Sequence, residues 1–424
     1  MRILQIASGD FFSSYGGGQV YVKNIVDTMI DAGIDVSIIS FIHNGDTQKK
    51  KYKNHSIYEV PISIAEKDLE KIVTEIEPKV IHAHSYKHII CRLGTKLNIP
   101  VVVTSHHGGI LCPAGARLDC KDNICHRQIS HTNCLPCYLR TIRTGLKIWY
   151  PFMKHIPQKT YISLGNKLSH LPFIPFISPI GSAATHIENH INHWHEICKK
   201  ANIMIAPCNE IATAMIENGL DKTKVRVIPH GVPLPDKKPA FPPIIDGKIK
   251  FYYVGRICHV KGIHILLEAF SKVINSAIEL HLIGGAGNKN EEKYMSGLKN
   301  KYQKDKRIIW HGKLSPSQVY KETSNFHVSV TASIFLEAFG LNIAESLALG
   351  KPVLASRCGG AEMQIKDGVN GWLVKPNDAD ALAKKLTEII QSPDIIKKYS
   401  SNCRAISLKD HCDVLIKLYY SLIN

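Results

Sequence analysis

Apolar positions in this 424-residue chain fall into short β-rich runs separated by stretches with helical spacing. Arg2-Ile-Leu-Gln-Ile-Ala7 reads as a buried strand. A glycine-rich turn follows, and Tyr21 to Ala32 places apolar residues at helical spacing before Gly33. Asp35-Val-Ser-Ile-Ile-Ser40, Val80-Ile-His-Ala-His84 and Pro100-Val-Val-Val-Thr104 continue the strand series. Strand, glycine loop, helix and strand in that order predict a doubly wound parallel α/β sheet. Regularity lapses from about 108 to 198, which reads as an insertion: a Cys/His-rich piece, then a basic piece punctuated by proline. Ile203-Met-Ile-Ala206 and Val225-Arg-Val-Ile228 resume the strands, and the proline-rich segment from Pro229 to Pro243 suits an interdomain linker.

A second α/β series begins at Ile249-Lys-Phe-Tyr-Tyr-Val254, turns at Gly255-Arg256 and enters a helix around Gly262 to Val273. Glu279 to Gly285, Ile308-Ile309, Val328 to Val330, Pro352 to Ala355 and Gly371 to Val374 supply further strands. The expected domains are 1–235, carrying the insertion, then 236–395, with terminal helices at 396–424 packing back on the first domain.

Composition narrows the class. A chain of 424 residues is long for one core, since domains usually run about 100 to 200 residues. Hydrophobic content of 44% and charged content of 21% exclude a mostly disordered chain. No apolar run reaches the roughly 18 residues of a membrane-spanning helix, and Met1 to Ala7 is too short for a secretory core; the expected location is cytoplasmic. The net charge of +17 calls for polyanions, diphosphates or an anionic membrane face as partners. Part of it is concentrated: no Asp or Glu occurs from Asn123 to Ile187, where Arg127, Arg140, Arg143, Lys147, Lys154, Lys159 and Lys167 fall. Trp149, Tyr150, Phe152, Phe173 and Phe176 lie in the same stretch, so it suits either an anionic or lipid-diphosphate acceptor at the inner membrane face or basic packing. A nucleic-acid-binding protein would interleave aromatics with base-reading motifs, and none is found.

Open parallel sheets bind ligands beyond the carboxyl ends of their strands, where glycine loops and helix N-termini present N–H groups to anions. Gly16-Gly17-Gly18 follows the first strand and serves either a tight turn or a phosphate. Gly255-Arg256 and Lys261-Gly262 put a guanidinium and an ammonium on one strand-to-helix turn, suited to a diphosphate or simply solvated. Glu337-Ala-Phe339-Gly340 and Glu345 span another such turn. Carboxylates accept hydrogen bonds from polyol hydroxyls, and a helix start at Leu341 opposes negative charge; Glu345 could equally be an ordinary surface helix residue.

Taken together with Gly350-Lys-Pro-Val353, Gly359-Gly360-Ala-Glu362, Asn370-Gly371, Thr104-Ser-His106 and Val227-Ile-Pro-His-Gly231, these pieces resemble glycosyltransferase family 4 in content and order over nearly the whole chain. The resemblance implies a retaining enzyme of the GT-B fold, with two Rossmann-like domains facing a central cleft. It implies that Arg256 and Lys261 grip the diphosphate of a UDP- or GDP-linked sugar and that Glu345 holds the ribose. Glu337 and the backbone N–H groups of Phe339, Gly340 and Leu341 would bind the sugar hydroxyls, and Gly17 and Gly18 would close over the phosphates. His106 matches the family's histidine near the transferred sugar, with His107 as the neighbouring candidate. The leaving diphosphate would help take the acceptor proton, so electrostatics and positioning dominate and no catalytic metal is expected. The acceptor would be a glycan or lipid-diphosphate-linked glycan of cell-surface polysaccharide or lipopolysaccharide synthesis; a nucleotide-sugar epimerase on the same fold is the alternative. Ala332-Ser333 departs from the family's frequent Pro-Ser, with one extra residue before Glu337.

Cys112-Pro113, Cys125 and Cys134-Leu-Pro-Cys137 resemble a cysteine-rich insertion of one branch of the family, with Cys120 as an extra thiol. A cytosolic compartment keeps thiols reduced. Four thiolates with a C-x-x-C pair could close a structural zinc site, with free thiols as the alternative. His186, His190 and His193 share one helical face without a metal-binding signature and read as a solvated helix.

Overall fold

The computed structural model describes residues 1–9, 11, 16–142, 160 and 177–423. The aromatic and basic residues expected to serve an acceptor, Trp149 to Phe152, Phe173, Phe176, Arg143 and Lys147 to Lys167, lie outside them. Two compact units are formed. One comprises Met1–Cys120, Cys125–His230 and Leu408–Asn424; the other comprises Lys121–Ile124 and Gly231–Ser407.

The first unit is built on eight strands: β1 (Arg2–Ser8), β2 (Asp35–Ile42), β3 (Gln48–Tyr52), β4 (His55–Pro61), β5 (Val80–Ala83), β6 (Val101–Thr104), β7 (Ile203–Ala206) and β8 (Val225–Val227). Their order is β3-β4-β2-β1-β5-β6-β7-β8. All neighbours are parallel except β3 and β4, which are antiparallel. Ile3 sits opposite Val36 on one side and Val80 on the other. Strands β5, β6 and β7 are buried along their whole length, which is why they read as unbroken apolar runs.

Strand β3, Gln-Lys-Lys-Lys-Tyr, has no apolar signature because it is an exposed edge. Its lysines pair outward, Lys49 with Glu75 and Lys50 with Glu59, each at 2.6 Å, and a row of lysines discourages edge-to-edge pairing. The 108–198 region is more regular than its composition suggests, for it contains helices His131–Ile142 and Ile177–Lys200. They pack through Leu135, Leu139, Ala183 and Ile187, a pattern hidden by the His, Asn and Thr residues around it and by Pro136 inside the first helix. His186 and His193 are exposed on the second, as the solvated face read from the sequence requires, but His190 between them is partly buried, and burial lowers its pKa to about 4.

The second unit has six parallel strands: β9 (Ile249–Val254), β10 (Ile278–Ile283), β11 (Ile308–Gly312), β12 (Val328–Thr331), β13 (Val353–Ser356) and β14 (Gly371–Val374), in the order β11-β10-β9-β12-β13-β14. Phe251, Leu266, Phe270, Leu280, Val330 and Leu354 are central to its core. Helix Asp394–Asn402 puts Ile396 and Tyr399 into that same core, with Tyr399 4.8 Å from Trp372. The chain therefore leaves this unit at Ser407, later than the 396 read from the sequence. Helix Leu408–Tyr420 belongs to the first unit and packs on helix Gly17–Asp31, with Tyr21 OH 2.7 Å from His411 Nε2. No helix among the described residues is long and apolar enough to cross a membrane.

Each sheet reverses its winding beside its first strand, at β1/β5 in one unit and β9/β12 in the other. Loops leaving the carboxyl ends there splay apart and open a crevice.

Candidate functional site

In the second unit the β9 end carries Arg256 and Lys261 and the β12 end carries Ser333 and Glu337. The two loops are held in contact. Ile334 donates its backbone N–H to the carbonyl of Val260 at 3.0 Å, and Gly262, at φ +66°, presses on the backbone of Ala332 so closely that a Cβ would lie 1.8 Å from its oxygen. That closeness brings Lys261 Nζ onto Glu337 Oε1 in a short ion pair. Ser333 Oγ donates to the other oxygen, Oε2, at 2.7 Å. Glu337 is buried and the Lys261 side chain is 19% exposed, so the pair is largely withdrawn from solvent. Tyr253 OH holds the Arg256 carbonyl at 2.8 Å. The guanidinium itself is largely exposed and 3.6 Å from Glu291.

Helix Leu341–Ala348 starts at Gly340, which caps it at φ +80° with no side-chain hydrogen bond. The first N–H groups of a helix have no intrahelical acceptor, so this turn offers donors where the resemblance places a sugar. Its shape is set from behind. Gly360 leaves room for the Phe339 backbone, which a Cβ would meet at 2.3 Å. Gln364 donates to the carbonyls of Phe339 and Gly360 at 2.5 and 3.0 Å. Glu345 is accessible to solvent along its side chain, yet protein packed around its carboxyl group desolvates the anion and pushes its pKa up to about 7. Asp122 lies 3.3 Å from His259, between Arg256 and Lys261 in sequence, and Ile124 packs beside Cys358 and Ala361.

In the first unit, Gly17 and Gly18 occupy the opening turn of helix Gly17–Asp31, capped by Gly16 without a side chain to satisfy its N–H groups. Gln19 fixes this turn to β1, accepting from Gly16 N at 3.1 Å and donating to the Ser8 carbonyl at 3.0 Å. A cavity of about 230 Å³ here is lined by Ala7, Ser8, Gly16, Gly18, His84 and His106. His107 also borders it, but its Nδ1 accepts from Gly109 N at 2.9 Å and so caps a turn. His106 stands at the end of β6 with Nε2 2.9 Å from His84 Nδ1. Burial, reinforced by neighbouring His230 and Lys87, holds His106 well below the usual imidazole range.

Cys112, Cys120, Cys125, Cys134 and Cys137 are all free thiols. Cys112 and Cys125 raise the thiol pKa values of both Cys134 and Cys137, but burial raises them more, to about 11 and about 12. Arg117, buried, gathers the loop by donating to the carbonyls of Cys125 and Arg127 at 3.0 and 3.4 Å. Among the described residues no three His, Cys, Asp or Glu side chains are grouped to hold a metal ion. The thiols as placed do not form a zinc cage.

The structure thus brings Arg256, Lys261, Glu337, Phe339, Gly340 and Leu341 to one end of the second sheet, with Glu345 one turn into the helix. It brings Gly17, Gly18 and His106 to the corresponding end of the first. Sequence reading assigned no role to the residues that hold them: Ser333, Gln364, Gln19 and His84. Ser333 and Gln19 bond groups three or four positions away, whereas Gln364 and His84 meet Phe339 and His106 only through the fold.

Residues 236–406 match the family Glycosyl transferases group 1, and residues 15–129 match Glycosyltransferase Family 4. An O-antigen chain mannosyltransferase C of Escherichia coli is 27% identical over 183 residues, covering 41% of this chain and 47% of the relative. The chain spans between 20% and 50% of the length of three curated relatives that it matches. Among solved structures, sucrose-phosphate synthase from Thermosynechococcus elongatus aligns over 99% of this chain and 98% of its own at TM-score 0.70 and 18% identity. Anabaena Alr3699/HepE, solved in complex with UDP-glucose, aligns over 99% and 100% at TM-score 0.68 and 16% identity.

Proposed function

The chain belongs to the glycosyltransferases, with a family-4 amino half and a group-1 carboxyl half on the GT-B fold, and from that premise we propose that it moves a sugar from a UDP- or GDP-linked donor to a glycan or lipid-diphosphate-linked acceptor. The observation that carries the reading is the Lys261–Glu337 pair on the loop that also carries Arg256. Without donor, Lys261 is engaged by Glu337. A diphosphate entering the β9 loop competes for Lys261 with two negative charges against one, which releases Glu337 to accept hydrogen bonds from the sugar. Binding thereby sets both groups to work. As the glycosidic bond breaks, charge accumulates on the leaving diphosphate, and the fixed cations Lys261 and Arg256 stabilise it more than the ground state.

We read the transfer as retaining: the acceptor attacks on the face the diphosphate leaves, and the diphosphate takes the acceptor proton. The protein then supplies charge and position, with no side-chain nucleophile. The similarity to an O-antigen mannosyltransferase supports a cell-surface polysaccharide acceptor, and the net charge of +17 supports action at the anionic inner face of the membrane. The test is to incubate the protein with UDP- and GDP-sugars, with and without lipid-diphosphate-linked glycans. Acceptor-dependent release of nucleoside diphosphate and an anomeric configuration matching the donor support the reading. Acceptor-independent epimerisation of the donor would contradict it.

Glu345 adds a pH dependence. Ribose hydroxyls need a carboxylate as acceptor, and this carboxyl group titrates at about 7. Its folded-state pKa is raised, so the acid form prevails below that value and donor binding must first expel a proton. Donor affinity should be about ten-fold weaker at pH 6 than at pH 8. Titration calorimetry across this range checks it, and Glu345→Gln should flatten the profile.

A structural zinc on Cys112, Cys125, Cys134 and Cys137, with Cys120 as alternative, requires the thiols to draw closer than they stand. Elemental analysis decides it. One zinc per chain, lost in a Cys134→Ser/Cys137→Ser double variant, supports the site; protein purified metal-free and fully folded contradicts it.

A further inference from the structure

Gln5, in the middle of β1, has its Oε1 2.9 Å from His84 Nε2, and His84 Nδ1 is 2.9 Å from His106 Nε2. These two contacts form a wire from the core of the first unit to the cavity beside Gly18. The amide of Gln5 is oriented at its other end, where Nε2 faces the hydroxyl of Tyr419 at 3.5 Å and the sulfur of Met29 at 3.8 Å. Tyr419 OH in turn lies 2.6 Å from His82 Nδ1, and His82 Nε2 lies 2.7 Å from Thr104 Oγ1. Tyr419 donating to His82 leaves its oxygen free to accept from Gln5, so the second chain agrees with the first.

With the Gln5 amide placed this way, hydrogen-bond bookkeeping assigns each proton. A carboxamide oxygen only accepts, so His84 carries its hydrogen on Nε2. A neutral imidazole has one N–H, which makes His84 Nδ1 an acceptor. The hydrogen between the two rings therefore belongs to His106 Nε2, and His106 Nδ1 is a bare lone pair. Neutrality is secured by burial, which holds both rings well below the usual imidazole range, and the Lys87 ammonium nearby pushes the same way. His107 differs, since its Nδ1 lone pair is already spent on Gly109 N.

We propose that Gln5 and His84 are positioning residues that lock His106 as its Nε2–H tautomer, so that Nδ1 accepts a hydrogen bond from a substrate hydroxyl in the cavity beside Gly18. The proposal rests on the glycosyltransferase reading for the identity of that hydroxyl as a sugar's, but not for the tautomer. It also sets a specificity: the group met by His106 must donate, so a hydroxyl is accepted there and a carboxylate is refused.

The test labels the histidines with ¹⁵N and records long-range ¹H–¹⁵N correlations, with the His106 signals identified by their loss in His106→Asn. The expected pattern is a protonated Nε2 and a bare Nδ1 on His106, replaced by a tautomer mixture in Gln5→Met, which keeps volume but removes the acceptor. Kinetically, Gln5→Met and His84→Leu should lower kcat about ten-fold with binding of the free nucleoside diphosphate unchanged. His84→Asn, whose carboxamide oxygen can still accept from His106, should recover most of the rate. A protonated Nδ1 on His106 in the wild type, or a tautomer unmoved by Gln5→Met, overturns the relay. No substrate is needed for the spectra, so a wild-type protein that transfers no sugar overturns the glycosyltransferase reading through a separate observation.

Discussion

Lys261→Ala is expected to lower kcat/KM for sugar transfer by about a thousand-fold, the scale seen when one preorganised charge partner of a developing anion is deleted. Two effects combine. The leaving diphosphate loses a fixed cation, and Glu337, buried with Ser333 as its remaining hydroxyl donor, loses its counter-ion. The second effect separates the roles: thermal melting should show a lowered midpoint without donor, since a buried carboxylate deprived of its counter-ion is destabilising. Lys261→Arg keeps the charge but not the compact ammonium geometry, so it should restore stability more than rate. Initial rates of nucleoside diphosphate release check the kinetic part. A Lys261→Ala protein within about three-fold of wild type would mean that Lys261 does not serve the departing group.

Gly262→Ala should be among the most damaging single methyls in the second unit. Its Cβ would lie 1.8 Å from the carbonyl oxygen and 2.8 Å from the carbonyl carbon of Ala332, both backbone atoms with no rotamer to yield. The φ of +66° adds a left-handed penalty of about 1 kcal/mol. Relief requires the β9 and β12 loops to part, which would pull Lys261 from Glu337. We expect a loss of at least about 3 kcal/mol in urea unfolding, together with loss of donor binding. Gly33→Ala is the matched comparison, because φ there is +78° and nothing lies within 4 Å of the added carbon. It should cost only about 1 kcal/mol. Equal losses at the two positions would show that backbone conformation, not loop contact, makes Gly262 necessary.

The α/β rhythm was legible because β1, β5, β6 and β7 sit inside a sheet covered on both faces, where apolar runs are obligatory. Strand β3 escaped because an edge strand of lysines obeys no burial pattern, and its pairing depends on the hairpin with β4. The packing of the insertion's helices escaped for a related reason: their contact with each other needs few apolar side chains, and polar residues surround those few. In the second unit, Arg256, Lys261, Glu337 and Glu345 were legible as charged residues beside glycines, since glycine marks turns where backbone approaches backbone or ligand. Their interaction was not. Lys261 and Glu337 are 76 positions apart and meet only because β12 lies next to β9. The same holds for Gln5, buried in a strand that reads as wholly apolar, and for His84, which reads as the end of one. Both matter through register: β1 beside β5 places Gln5 next to His84, and β5 beside β6 places His84 next to His106.

The most direct measurement of the central claim is titration calorimetry of UDP-glucose and GDP-mannose into the wild-type protein and into Lys261→Ala and Arg256→Ala, with circular dichroism confirming that each variant is folded. Saturable one-to-one binding of at least one nucleotide sugar, weakened about ten-fold or more by each substitution, is the predicted result. Tight binding undiminished in both folded variants would contradict the assignment of the donor diphosphate to the β9 loop.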